Sequence, residues 1–280
     1  MALQRRTRNT CPMSWSPKPS LPAALRRLGR AAWRSRVLWG VLLALCITVH
    51  AVAWGRAWWS ADAAMSSFAP SGEGFESYSL LLTAFGRQYL RREARQTVQD
   101  AFAERARAEP RRRFVLGEMG WRAGGRLWPH ASHRQGLSVD IFLPLLDAQR
   151  APTGLSHQPW NLWGYCQTFD TTGRYAGTRW EAPPRSLPLL GAVSPCFAST
   201  EASSVHIDFE EAARLLLAIE HAAHRHRVEI RAIILAPEYL ARVSSTPAGR
   251  QLGKLADKFV RRPVWIRHDE HLHIELALAK

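Results

Sequence analysis

Two short stretches concentrate the side chains that could do chemistry. Residues 129–145, PHASHRQGLSVDIFLPL, hold His130, His133, Gly136 and Asp140, and residues 268–273, HDEHLH, hold His268, His271 and His273. In an extended chain alternate side chains share a face. His271, His273 and Glu275 therefore point one way, and Leu272, Ile274 and Leu276 point the other. The earlier stretch divides in the same manner, with Leu137, Val139, Ile141 and Leu143 on an apolar face and Asp140 opposite. His133 lies an odd number of positions before Asp140, so an unbroken strand would set the two on opposite faces. A turn has to intervene, and Gly136 supplies the permissive backbone for it.

Two imidazoles, from His133 and His273, and the Asp140 carboxylate form a shell of the kind zinc uses for catalysis, because three protein ligands leave a fourth position for water. Such a centre keeps a net positive charge and can acidify that water and polarise a carbonyl. A neighbouring base has to take the proton. His271 and His268 are the candidates, since neutral imidazole is a competent base near pH 7. His130 could orient the water, bind substrate or hydrogen-bond to a ligand. A lone strand histidine is more often structural, and His221, His224 and His226 fit the solvated face of a helix. The clustering in two strand motifs sets the other histidines apart.

The segment FVLGEMGWRAGGRLWPHASHRQGLSVDIFLPL, from Phe114 to Leu145, together with RRPVWIRHDEHLHIEL at 261–276, resembles the penicillin-insensitive murein endopeptidases. These belong to a wider group with lysostaphin-type peptidases, D-Ala-D-Ala metallopeptidases and the hedgehog signalling domain. The resemblance implies zinc ligands at His133, Asp140 and His273, with further active-site histidines at His130, His268 and His271. It implies hydrolysis of the D-alanyl to meso-diaminopimelyl cross-link between peptidoglycan stem peptides in the periplasm, on a small antiparallel sheet flanked by helices. Ser138 departs from the family pattern, which usually has an acid there. A D,D-carboxypeptidase or amidase with the same centre, and a non-catalytic cell-wall binding protein, are the alternatives.

The elements that must position these residues can be read from the rest of the chain. With 280 residues, 46% of them hydrophobic, the chain can bury one sizeable core plus an appendage. The net charge of +15 raises the question of nucleic acid, but residues 1–36 carry nine Arg and Lys and no acid, leaving a mildly basic body. No nucleic-acid partner is expected. The eighteen residues 37–54, VLWGVLLALCITVHAVAW, span about 27 Å as a helix, close to a bilayer core of about 30 Å. A basic flank before an apolar run reads as a signal anchor in the inner membrane, with Trp39, Trp54, Trp58 and Trp59 as interfacial anchors. The alternative is cleavage after an A-x-A pattern at Ala51 and Ala53.

The expected organisation is a basic cytoplasmic arm at 1–36, the anchor at 37–54, a small and polar linker at 55–75 and a zinc peptidase domain at 76–280. Helical spacing over 76–108 predicts one or two helices interrupted near Gly86. Strands are predicted at 113–120, 228–236 and the C-terminus, a helix follows an N-cap at Asp208, and two short helices fill 237–259. This order points to an α+β domain with a mostly antiparallel sheet and an N-terminal membrane helix. Residues 147–205 show little periodicity. Their aromatics Trp160, Trp163, Tyr165, Tyr175 and Trp180 fit either a cleft wall or ordinary packing. Cys166 and Cys196 are either a disulfide, stabilising by about 3 to 4 kcal/mol in an oxidising compartment, or two buried thiols.

Overall fold

A computed structural model of the chain describes residues 21–127, 132–154, 167–178, 204–261 and 268–279. The chain forms two compact units, Met1–Ile47 and Thr48–Lys280. Helix α1 (Leu21–Trp59) contains the apolar run, and its part Ser35–Trp59 is long and apolar enough to cross a membrane or to act as a signal sequence. The helix continues past the expected end at Trp54. In its last turns Ala53 and Ala57 are buried, and the Arg56 Nε–H donates to the Ala84 carbonyl at 2.8 Å.

The expected linker is a correction. Within 55–75 the structure forms β1 (Met65–Ser67) and β2 (Ser71–Gly72), and β3 (Phe75–Ser77) follows at once. Serine, glycine and proline give this stretch a linker's composition, but Phe68 and Phe75 decide its fate. Both are buried, with Phe68 edge-on to Phe75 at 5.4 Å and Phe75 against Phe102 at 5.7 Å. Burying two such rings is worth several kcal/mol, about 1.5 to 3 each, enough to draw short strands onto the sheet.

The expected helical stretch is likewise divided. α2 (Leu80–Ala84) ends before Gly86, whose φ of +77° few other residues adopt, β4 (Tyr89–Arg91) follows, and only then does α3 (Arg92–Ala108) begin. The chain continues through β5 (Phe114–Leu116), β6 (Ser138–Phe142), β7 (Leu145–Leu146), β8 (Pro152–Thr153), β9 (Gln167–Phe169), β10 (Tyr175–Thr178) and β11 (His206–Ile207). Then come α4 (Phe209–Arg225), β12 (Val228–Ile234), α5 (Leu240–Ser245) and β13 (His271–Leu278). Between Pro237 and Phe259, α5 is joined by 3₁₀ turns at Pro237–Tyr239, Gly249–Gln251 and Gly253–Lys258. Of the aromatics in 147–205, Tyr175 packs edge-on to Phe169 at 5.7 Å. Trp160, Trp163, Tyr165, Trp180, Cys166 and Cys196 lie outside the described residues.

The main sheet runs β12-β13-β6-β5-β3-β2, antiparallel except where β3 pairs with β5. The class is α+β. β13 lies between β12 and β6, and its pairing sets His273 opposite Asp140, His271 opposite Phe142 and Ile274 opposite Val139. Residues directly opposite one another share a face. Val139, Ile141, Leu272, Ile274 and Leu276 accordingly enter the core, where α3 and α4 cover them. α4 presents Ala212, Leu215, Leu216 and Ile219 to that core at helical spacing. Its first turn is capped as expected, the Asp208 carboxylate accepting the Glu211 N–H at 3.0 Å.

Candidate metal centre

The face of the sheet away from this core carries the polar residues. Asp140 and His273 face one another across the β6–β13 ladder, both buried. Asp140 Oδ1 lies 2.6 Å from His273 Nδ1 and 3.4 Å from His133 Nε2, and the two ring nitrogens are 3.3 Å apart. The three residues form a group that could hold a metal ion, with one donor atom from each converging. Tetrahedral zinc with bonds of about 2.0 to 2.1 Å sets its donors about 3.3 Å apart. Two edges of the triangle already have that length. The third is a hydrogen bond in which a proton sits between Asp140 and His273.

His133 reaches the triangle from a loop, and the backbone around that loop is closely specified. Gly136 has φ +67°, and a Cβ there would press on the Met65 side chain and approach the Arg91 nitrogen to 3.1 Å. The Arg91 N–H donates to the Gly136 carbonyl at 2.8 Å, so β4 fastens the turn. Gly120 leaves room for the chain beside it, since a Cβ there would lie 2.9 Å from the His133 carbonyl oxygen. The expected turn between His133 and Asp140 is thus present. Ser138, the position that departs from the family pattern, donates from its hydroxyl to the Ser132 carbonyl at 3.0 Å and holds the same loop.

The segment 117–120 brackets two of the three candidate ligands. The Gly117 N–H donates to the Asp140 carbonyl at 2.8 Å, and the Asp140 N–H donates to the Glu118 carbonyl at 3.1 Å. The Met119 carbonyl accepts from His133 Nδ1. A carbonyl can only accept, so the proton is on Nδ1 and Nε2 is left to face the triangle. Sequence reasoning missed this contact because a backbone oxygen has no residue type to give it away. His273 is oriented the other way round: its Nδ1 faces the triangle, while Nε2 faces Glu275 Oε1 at 3.8 Å.

Charge follows from this geometry. Burial opposes ionisation of Asp140, but His133 and His273 overcome it and hold the carboxyl well below its usual range. Burial equally opposes a charge on His273, yet the adjacent Asp140 carboxylate raises that imidazole to about 9. The neighbouring His273 imidazole holds Glu275 below the ordinary carboxylate range. Anionic and imidazole donors packed together and buried are a donor set that suits a divalent cation.

The remaining expected residues fall beside this group, with one exception. His271 and His268 are both buried, their ring centroids 4.7 Å apart, and the His268 ring lies 5.9 Å from that of His273. The Ala236 N–H donates to the His268 carbonyl at 2.8 Å, which anchors the approach to β13. His130 lies outside the described residues. Asp269 and Glu270, to which the sequence reading gave no role, accept from the Phe169 and Gln167 N–H groups at 3.3 and 2.8 Å and so tie β9 to the histidine strand. Compared with known protein families and with curated proteins, the chain matches none.

Proposed function

We propose that the chain is a zinc-dependent endopeptidase that cleaves the D-alanyl to meso-diaminopimelyl cross-links of peptidoglycan. The observation that carries this reading is the buried His133–Asp140–His273 triangle with His271 and His268 packed beside it. His133 Nε2, His273 Nδ1 and an Asp140 oxygen would hold the ion. When bound, zinc supplies a Lewis acid that polarises a carbonyl and brings the pKa of water near 7. Met119, through its carbonyl, fixes the His133 ring, and Glu275 faces the outer nitrogen of His273, the arrangement by which outer groups orient metal-bound imidazoles. His271, two positions from His273 on the same strand face, takes a proton from the attacking water. His268 adjoins its ring and stabilises the charge that results.

The choice of substrate rests on the resemblance of residues 114–145 and 261–276 to the murein endopeptidases, and the α+β sheet with ligands on β6 and β13 supports a hedgehog-like fold. The apolar helix supports a periplasmic domain held at the inner membrane. Replacing His133 or Asp140 by Ala is expected to abolish zinc binding and to lower cross-link hydrolysis in purified sacculi at least a thousandfold, roughly the scale of losing a catalytic metal. Mass analysis of the digest distinguishes the reactions. Loss of cross-linked dimers supports the endopeptidase, release of terminal D-alanine alone replaces it by a carboxypeptidase, and zinc uptake without turnover replaces it by a binding protein.

A further inference from the structure

Where α1 ends, the surface carries exposed aromatic rings. Trp58 and Trp59 are 75% and 82% exposed, and Phe85 is 57% exposed. Single exposed apolar residues are ordinary, but these belong to two segments fastened to each other. Phe85 follows Ala84, whose carbonyl accepts from Arg56, and a Cβ on the next residue, Gly86, would come within 3.2 Å of Arg56 Nη1. Phe85 is thus displayed beside the last turns of the apolar helix.

Cations surround the same point. Arg92 Nη1 donates to the Asp62 carbonyl at 3.3 Å and Arg95 Nη2 to the Ala61 carbonyl at 2.9 Å, so the start of α3 clasps the turn by which the chain leaves α1. Arg91 and Arg92 are exposed there. Aromatic rings settle at the headgroup level of a bilayer, and guanidinium groups beside them meet lipid phosphates. Directly after α1, Ser60 Oγ accepts the Ser67 N–H at 2.8 Å.

We propose that Trp58, Trp59 and Phe85, with Arg91 and Arg92, dock the folded domain onto the lipid headgroup layer. The proposal rests on reading Ser35–Trp59 as a membrane span, and it goes beyond that reading, because a span alone does not fix which domain residues meet the lipid. It also bears on the metal centre. α2, which ends just before Phe85, packs Leu82 with Tyr78, Val115 and Phe142, and the Phe142 ring lies 6.3 Å from that of His271. Docking at Phe85 therefore anchors the short helix that walls the histidine face, and it fixes the height above the bilayer at which that face meets its substrate.

The test uses the full chain in vesicles of phosphatidylethanolamine and phosphatidylglycerol, with a photoreactive benzophenone amino acid replacing Phe85, Trp59 or Leu278 one at a time. Leu278, 41% exposed at the end of β13, is the reference for an exposed apolar side chain of the domain that is not one of the proposed docking residues. Lipid adducts are expected at positions 85 and 59 and about tenfold less at 278, as for residues inside and outside the interface. Adducts at 59 without adducts at 85 overturn the docking and leave the span standing. Absence of adducts at 59 removes the span and the docking with it, and a crosslink from 85 to a second copy of the chain replaces lipid by protein as the occupant. None of these readouts depends on peptidase activity, so a failure to cleave sacculi is separable from a failure to dock.

Discussion

Asp140 and His273 meet at 2.6 Å, and the proton between them occupies the place a metal would take. Because the His273 pKa is raised from its ordinary 6.5 to about 9, the pair stabilises the metal-free fold fully below pH 6.5. That contribution is lost as pH climbs through about 9. Thermal melts of chelator-treated protein are expected to drop over this window, and to lose the drop in Asp140→Asn. A bound metal ion would displace the same proton, so on the proposed reading zinc-loaded protein is expected to keep its stability to pH 9 and to load more tightly as pH rises. An unchanged pH profile in Asp140→Asn would sink this account. That Asp140 and His273 share a face was legible, because strand alternation separates them from Val139 and Ile274. The Met119 carbonyl and the squeeze on Gly136 were not, since both are properties of backbone placed by distant strands. Gly136→Ala, forced to φ +67° against Met65 and Arg91, is expected to cost about 1 to 3 kcal/mol in denaturant melts and to weaken zinc uptake through His133.

Elements were legible in proportion to their length. α4 declared itself through an N-cap, an acidic first turn and an apolar stripe, and β12 and β13 through alternation. β1 to β3 have two or three residues each and no period to read; they exist because Phe68 and Phe75 are drawn into a core that other elements build. The packing of α3 on α4 adds a contact that no local pattern foretells. Arg105 donates to both oxygens of Glu211, each at 2.9 Å, with side chains 13% and 2% exposed. Burial, with the Asp208 carboxylate nearby, leaves the Glu211 carboxyl raised despite Arg105 and Arg112, and a buried pair of this kind is worth little against an apolar substitute. Removing one partner is a different matter, because it strands the other charge. Glu211→Ala is expected to lose about 3 kcal/mol in urea melts, and the double replacement Arg105→Met with Glu211→Leu to recover most of it. A double variant as unstable as the single one would show that the pair is needed for more than mutual neutralisation.

For the molecule as a whole, the division that matters lies within α1, not after it. The sequence places the start of the folded domain at Glu76, because residues 55–75 look like a tether; the compact unit instead begins at Thr48. Composition misleads here for a physical reason. The alanines and serines that suggest a linker are small enough to pack tightly: Ala57, Ser60, Ser66 and Ser67 are all buried. This makes truncation informative. A chain beginning at Thr48, kept in mild detergent because Trp54, Trp58 and Trp59 are exposed, retains the Arg56 bond to Ala84 and the Ser60 bond to Ser67. It is expected to melt like the full chain and to bind zinc equally. A chain beginning at Ala61 loses both hydrogen bonds and the buried methyl groups of Ala53 and Ala57. At about 1 kcal/mol per bond and about 0.8 kcal/mol per buried methyl group, it is expected to be about 3 to 4 kcal/mol less stable. Zinc affinity should fall with it, because β1 and β4 lose part of their support and it is β4 that holds the turn at Gly136. Equal stability of the two truncated chains would return the boundary to where the sequence put it and reduce α1 to an anchor alone.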